Sequence, residues 1–182
     1  MPDRYYGPLT MDPHDIAHPH GVAHPHDATA IANELYRYAE LIDAGRFTEL
    51  GELMEHCTFS YGTEGDPGPS GAAAIAASYQ DMVVTYDDGT PRTRHLTTNP
   101  IIDVDGDTAA VRSTYTVMQQ APGSAMQTII SGRYHDTLRR IDGRWRFTER
   151  RFLVDLVGDL SRHLRFELLP QEQPLESEER QP

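Results

Sequence analysis

The chain has 182 residues, 28 acidic against 16 basic side chains, and a formal charge of −12. That balance excludes a nucleic-acid role, because phosphate binding needs clustered Lys and Arg and an acidic surface repels the backbone. No run approaches the roughly 20 apolar residues that cross a bilayer, and the single Cys57 excludes an intrachain disulfide framework.

Residues 1–27 repeat one short phrase, Ala17-His18-Pro19-His20 and Ala23-His24-Pro25-His26. The start has no basic segment followed by an apolar run, so no secretory signal is read there and a cytoplasmic location is expected. Prolines forbid helix, so this zone reads as an extended His/Pro-rich arm. Imidazoles can bind metal, but no acidic or Cys partner stands at ligand spacing, so no metal site is assigned.

A helix is expected over residues 30–44, capped by Asp27 or Thr29 and closed by Gly45. Ile31, Leu35, Tyr38 and Ile42 form its apolar stripe. A short helix over 47–54, a strand over 58–61 and a Gly/Pro-rich loop follow. Ser70 then caps a third helix over 71–84. From Thr93 the period changes to two, with strands expected over 93–103, 108–119, 126–140 and 145–156. Asp105-Gly106, Pro122-Gly123 and Asp142-Gly143 supply the turns. Helices first and a meander after them predict an α+β domain over 28–169, a mostly antiparallel curved sheet packed on N-terminal helices around a pocket. Residues 170–182 form an acidic, Pro- and Gln-rich tail with little to bury, and disorder is expected there.

Two residues stand out for chemistry. Asp43 borders the apolar stripe of the first helix in its last turn, where a carboxylate opposes the helix dipole. His95 shares a strand face with Thr93, Thr97, Asn99 and Ile101, a mixture of small polar and aliphatic groups that suits a ligand pocket. A carboxylate bonded to an imidazole fixes its tautomer and makes the other ring nitrogen a better base. The alternatives are an exposed helix-end Asp and a half-buried His bonded to backbone; spacing alone does not bring the two together. Tyr134 lies on a face with Ile130, Gly132, Asp136 and Leu138, and Tyr115 lies with Val111 and Val117, so both are pocket-lining candidates. His135 is expected to face solvent. Trp145, Phe147 and Leu153 read as core, Cys57 as inert core, and Arg150 and Arg151 as one inward and one outward. No motif for a nucleotide, PLP or haem occurs, and no cofactor is expected.

The runs 38–47 (YAELIDAGRF), 93–99 (TRHLTTN) and 132–136 with 142–147 (GRYHD, DGRWRF) resemble NTF2-like, SnoaL-type proteins over about residues 28–156. Within that superfamily the pattern is similar to scytalone dehydratase, bile-acid 7α-dehydratase and hexachlorocyclohexane dehydrochlorinase. The resemblance implies a catalytic dyad of Asp43 and His95, assistance from Tyr38, substrate contact by Arg150 and a pocket-lining role for Tyr134. Scytalone dehydratase has a second His in the following strand, where this chain has Gln119. The resemblance therefore implies a cofactor-independent lyase or isomerase acting on a small hydrophobic, alicyclic or polyketide-like molecule. The alternative is a non-catalytic ligand-binding or subunit-assembly module resembling the small subunit of ring-hydroxylating dioxygenases. Self-association into a dimer or trimer is expected from the open sheet, with the leucines of 153–169 docking on a neighbouring subunit.

Overall fold

A computed structural model describes residues 26–62 and 65–166. The expected arm, apart from His26 and Asp27, and the acidic tail lie outside the described residues. In chain order come α1 (Asp27–Asp43), α2 (Phe47–Leu53), β1 (Thr58–Tyr61), β2 (Asp66–Ser70), α3 (Ala72–Met82), β3 (Thr93–Asp105), β4 (Thr108–Gln119), β5 (Gln127–Ile141) and β6 (Arg144–Val157). One sheet runs β2-β1-β6-β5-β4-β3, and β1 lies parallel to β6 while every other pair is antiparallel. The fold is α+β, with α1 lying against β3 and α2 packed on α3. No helix among the described residues is long and apolar enough to cross a membrane.

Helix α1 forms because Ile31, Leu35, Tyr38 and Ile42 recur at helical spacing and are all buried. Gly45, at φ +69°, takes the left-handed conformation that ends it, its N–H reaching the Ile42 carbonyl at 3.0 Å. Its start differs from expectation. His26 is the N-cap and gives no side-chain cap bond, and Asp27 is the first helical residue. The Asp27 carboxylate instead accepts from Arg140 at 2.8 Å and from the Trp145 indole at 3.0 Å, pinning α1 to the β5–β6 hairpin. Long-range charge pairing outcompetes the local cap.

The expected loop after β1 also differs. Residues 66–70 pair with β1 as an edge strand, which tolerates Pro67 and Pro69 because an edge leaves alternate N–H positions unused. Ser70 does not cap α3. Gly71, at φ +82°, is the N-cap, and the Ser70 hydroxyl turns back to the Cys57 carbonyl.

Bulges redirect side chains in the long strands, since one extra residue reverses the alternation of faces. In β3 the register shifts between Thr98 and Ile101, where Asn99 sits at φ +52°. Ile101 is consequently exposed and Ile102 packs against the core, the reverse of the simple alternation. A shift between Val117 and Met118 likewise buries Ile129 fully and leaves Ile130 half-buried. A third shift, between Thr137 and Leu138, puts Arg150 on the face of Phe147, and Leu153 moves to the opposite one. Arg150 is thus the inward arginine and Arg151 the exposed one.

Two leucines after β6 pack into this chain's own core. Leu160 is buried, and Leu164 packs against the core and bridges to Val83. Leu156, still within β6, is exposed.

Candidate active site

The last turn of α1 meets the start of β3, and this brings Asp43 to His95. His95 Nδ1 lies 2.7 Å from Asp43 Oδ1, and both side chains are only 6% exposed. The carboxylate accepts two further bonds, from the Thr93 hydroxyl at 2.8 Å and from the His95 backbone N–H at 2.9 Å. Burial alone would raise the Asp43 carboxyl, but the bonds from His95 and Thr93 and the His95 charge outweigh it and hold the group below the usual carboxylate range. Asp43 is therefore ionised and fully engaged at neutral pH. An imidazole bonded through Nδ1 to a fixed carboxylate keeps Nε2 for other work.

A cleft of about 600 Å³ reaches this corner, with Asp43, Thr93, Met118, Gln119 and Met126 among its walls. His95 is not one of them. Beside it, Gln119 pairs with Thr93 across the β3–β4 ladder and donates to the Pro91 and Arg162 carbonyls at 3.0 and 3.1 Å.

The other expected residues form a second cluster. Arg150 is wholly buried and grips Asp136 with Nε at 2.7 Å and Nη2 at 2.8 Å. Its guanidinium lies over the rings of Tyr38, Tyr134 and Phe147 at 4.1, 4.2 and 4.8 Å. Desolvation opposes its charge, but Asp136 more than compensates and keeps Arg150 protonated. The Tyr38 and Tyr79 hydroxyls are 2.5 Å apart, and Tyr115 stacks on Tyr134 with centroids at 4.4 Å. Burial raises all four tyrosines above the ordinary phenol, despite Arg150 pulling Tyr38, Tyr79 and Tyr134 down. They stay neutral, as donors and acceptors.

Gly132 makes room for this stack. A Cβ there would stand 2.0 Å from the Leu153 carbonyl and 2.7 Å from the Tyr115 hydroxyl. No hydrogen bond joins this cluster to the dyad among the described residues; Thr97 pairs with Tyr115 in the ladder, two residues along from His95 with Val117.

Cys57 is buried, and burial pushes its thiol up to about 12, so it is inert. His135 sits half-buried on the outer face, where burial first and then Arg133, Arg112 and Arg151 lower its affinity for a proton. Among the described residues no group of three or more His, Cys, Asp or Glu is placed to hold a metal.

Sequence reading missed Tyr79, although it follows Ile75 at helical spacing on α3, which was a usable signal. It also gave Asp136 no role, although an acid on an apolar strand face asks for a buried cation. It missed His163, which follows β6 in a turn with no periodicity to read.

Helices packed on one curved six-stranded sheet over buried polar groups define the class of fold. The SnoaL-like domain family matches residues 24–151, and the chain belongs to it. No curated protein matches the chain in sequence. Among solved structures, a candidate scytalone dehydratase of Novosphingobium aromaticivorans is 24% identical with a TM-score of 0.58, over 73% of this chain and 87% of that one. An NTF2-like protein with a cystatin-like fold from the same species is 24% identical with a TM-score of 0.57, over 70% and 81%. A candidate aromatic ring hydroxylase of that species is 22% identical with a TM-score of 0.61, over 78% and 99%. These likenesses establish the NTF2-like fold.

Proposed function

We propose that this protein is a cofactor-independent lyase or isomerase, in which His95 removes a proton from carbon on a small hydrophobic substrate. The observation that supports it is the 2.7 Å contact between His95 Nδ1 and an Asp43 carboxylate that accepts two further bonds. In this reading Asp43 holds the imidazole so that Nε2 faces the substrate and stabilises the imidazolium once formed. Tyr38, neutral and buried, donates to the oxygen on which charge develops. Arg150 steadies that phenol electrostatically, and Nη1, its one buried nitrogen without a partner, is the donor left for a polar end of the ligand. Tyr134 and Tyr115 line the apolar wall. Departure of a β-substituent with the electron pair makes the reaction an elimination. Return of the proton at another carbon makes it an isomerisation.

The test is exchange of the α-hydrogens of 2-tetralone, a bicyclic apolar ketone, in D₂O with no added cofactor, followed by NMR. The parent protein should exchange them faster than buffer. His95→Gln should lose about 10²–10⁴-fold and Asp43→Asn about 10²-fold. Equal rates in parent and variants would sink the proposal.

A subunit-assembly module is the second reading. Val154, Leu156 and Val157 are exposed at the end of β6, an apolar edge that a partner subunit would cover. A candidate aromatic-ring-hydroxylating dioxygenase β subunit has the same fold. An inactive parent protein that forms a stable oligomer would favour it.

A further inference from the structure

The segment after β6 returns across the fold and is fastened on two sides. On one, the Val84 and Arg165 N–H groups donate to the His163 and Met82 carbonyls, each at 2.9 Å, tying the segment to the end of α3. On the other, the Arg162 carbonyl accepts from Gln119 Nε2 at 3.1 Å and from the Tyr86 hydroxyl at 2.7 Å. Gln119 is the ladder partner of Thr93, which itself bonds Asp43. His163 is therefore held at the corner of the fold that contains the dyad.

Its side chain is unusual there. His163 is buried, and its Nδ1 has no hydrogen-bond partner. The carboxamide oxygen of Gln119, whose Nε2 holds the neighbouring Arg162 carbonyl, is also buried without a partner. Buried polar atoms are almost always paired, and two of the five unpartnered ones among the described residues belong to His163 and Gln119, which the Arg162 carbonyl links; a ligand atom would complete their bonding. Burial first, and then the His95 charge against a smaller opposing pull from Asp43, lowers His163 to about 4. It is neutral at physiological pH, with one N–H to donate and one lone pair to accept.

We infer that His163 is a second imidazole of the active site, which hydrogen-bonds the oxygen of a small apolar ligand bearing a carbonyl or hydroxyl group. This rests on the proton-transfer reading of Asp43 and His95. When the C–H bond breaks, its proton goes to His95 Nε2 and its electron pair moves into the new C=C bond. The carbonyl oxygen takes up the displaced charge, and the His163 N–H adds a second hydrogen bond to it beside that of Tyr38. Gln119 positions His163 by holding the Arg162 carbonyl.

The experiment uses the full chain labelled with ¹⁵N in histidine and titrated with 2-naphthol, a flat apolar probe with one hydroxyl. The ring nitrogens of His163, assigned by their loss in His163→Gln, should move on saturation together with those of His95. His163→Phe should weaken the probe about tenfold, and His163→Gln, which keeps a donor, should recover most of it. Movement of His95 alone, or unchanged affinity in a folded His163→Phe, overturns the inference and leaves the dyad reading intact. Failure of the parent protein to bind 2-naphthol overturns it as well. The 2-tetralone exchange reads the dyad independently, so the two ideas fail separately. If His163→Phe does not fold, the ring shifts of the parent protein still decide.

Discussion

Two of the buried polar clusters among the described residues differ in what is left over. Asp136 and Arg150 satisfy each other through two bonds, and aromatic faces cover the cation. Asp43 is engaged just as fully, but its partner His95 meets it through one ring nitrogen and keeps the other. The first arrangement is closed apart from one guanidinium nitrogen. The second leaves one imidazole nitrogen of His95 outside its bond to Asp43. Burial of charge by itself is thus no sign of chemistry; a buried ionisable group with an uncommitted atom is the better sign.

The largest test of that contrast is Asp136→Ala. It leaves the Arg150 charge buried without its partner, and urea denaturation should show a loss of about 3–5 kcal/mol or no folded protein. Replacing both residues together, Asp136→Leu with Arg150→Met, should cost much less than the single change. A mild single effect would mean that the aromatic cage alone supports the cation.

The next effect is on pH dependence. His163 falls from the ordinary 6.5 to about 4 in the folded state, so the unfolded chain binds its proton first as pH drops. The contribution of His163 is therefore complete above pH 6.5 and is lost between about 6.5 and 4, on the order of 3 kcal/mol. Asp43, lowered from 3.8, adds a loss only below that window. Folded His163→Phe should flatten the upper part of the stability profile and leave the lower part unchanged.

The smallest is Tyr79→Phe. It removes the hydroxyl 2.5 Å from Tyr38, and thermal or urea unfolding should register about 1 kcal/mol. A much larger loss would show that the tyrosine cluster is as tightly coupled as the ion pair beside it.

Much of this was written in the chain. The helical stripe ending at Ile42, the turns at Asp105-Gly106 and Asp142-Gly143, and the period-two runs between them are local patterns, and local patterns determine elements. Asp43 could be singled out because it borders the apolar stripe of its helix, and His95 because its strand face mixes small polar and aliphatic groups. Three things needed the tertiary structure. Bulges at Asn99 and beyond Glu149's pairing with Thr137 reverse strand faces, and an alternation rule cannot see the inserted residue. Asp27 binds residues more than a hundred positions away, so no window around it reveals that it abandons its cap. His163 stands in an aperiodic turn, and only the tertiary bonds that tie that segment to the end of α3 and to Gln119 of β4 bring it to the corner that holds Asp43. Sequence determined the parts because their periods are local; folding decided their meeting because distance in space is not encoded in spacing.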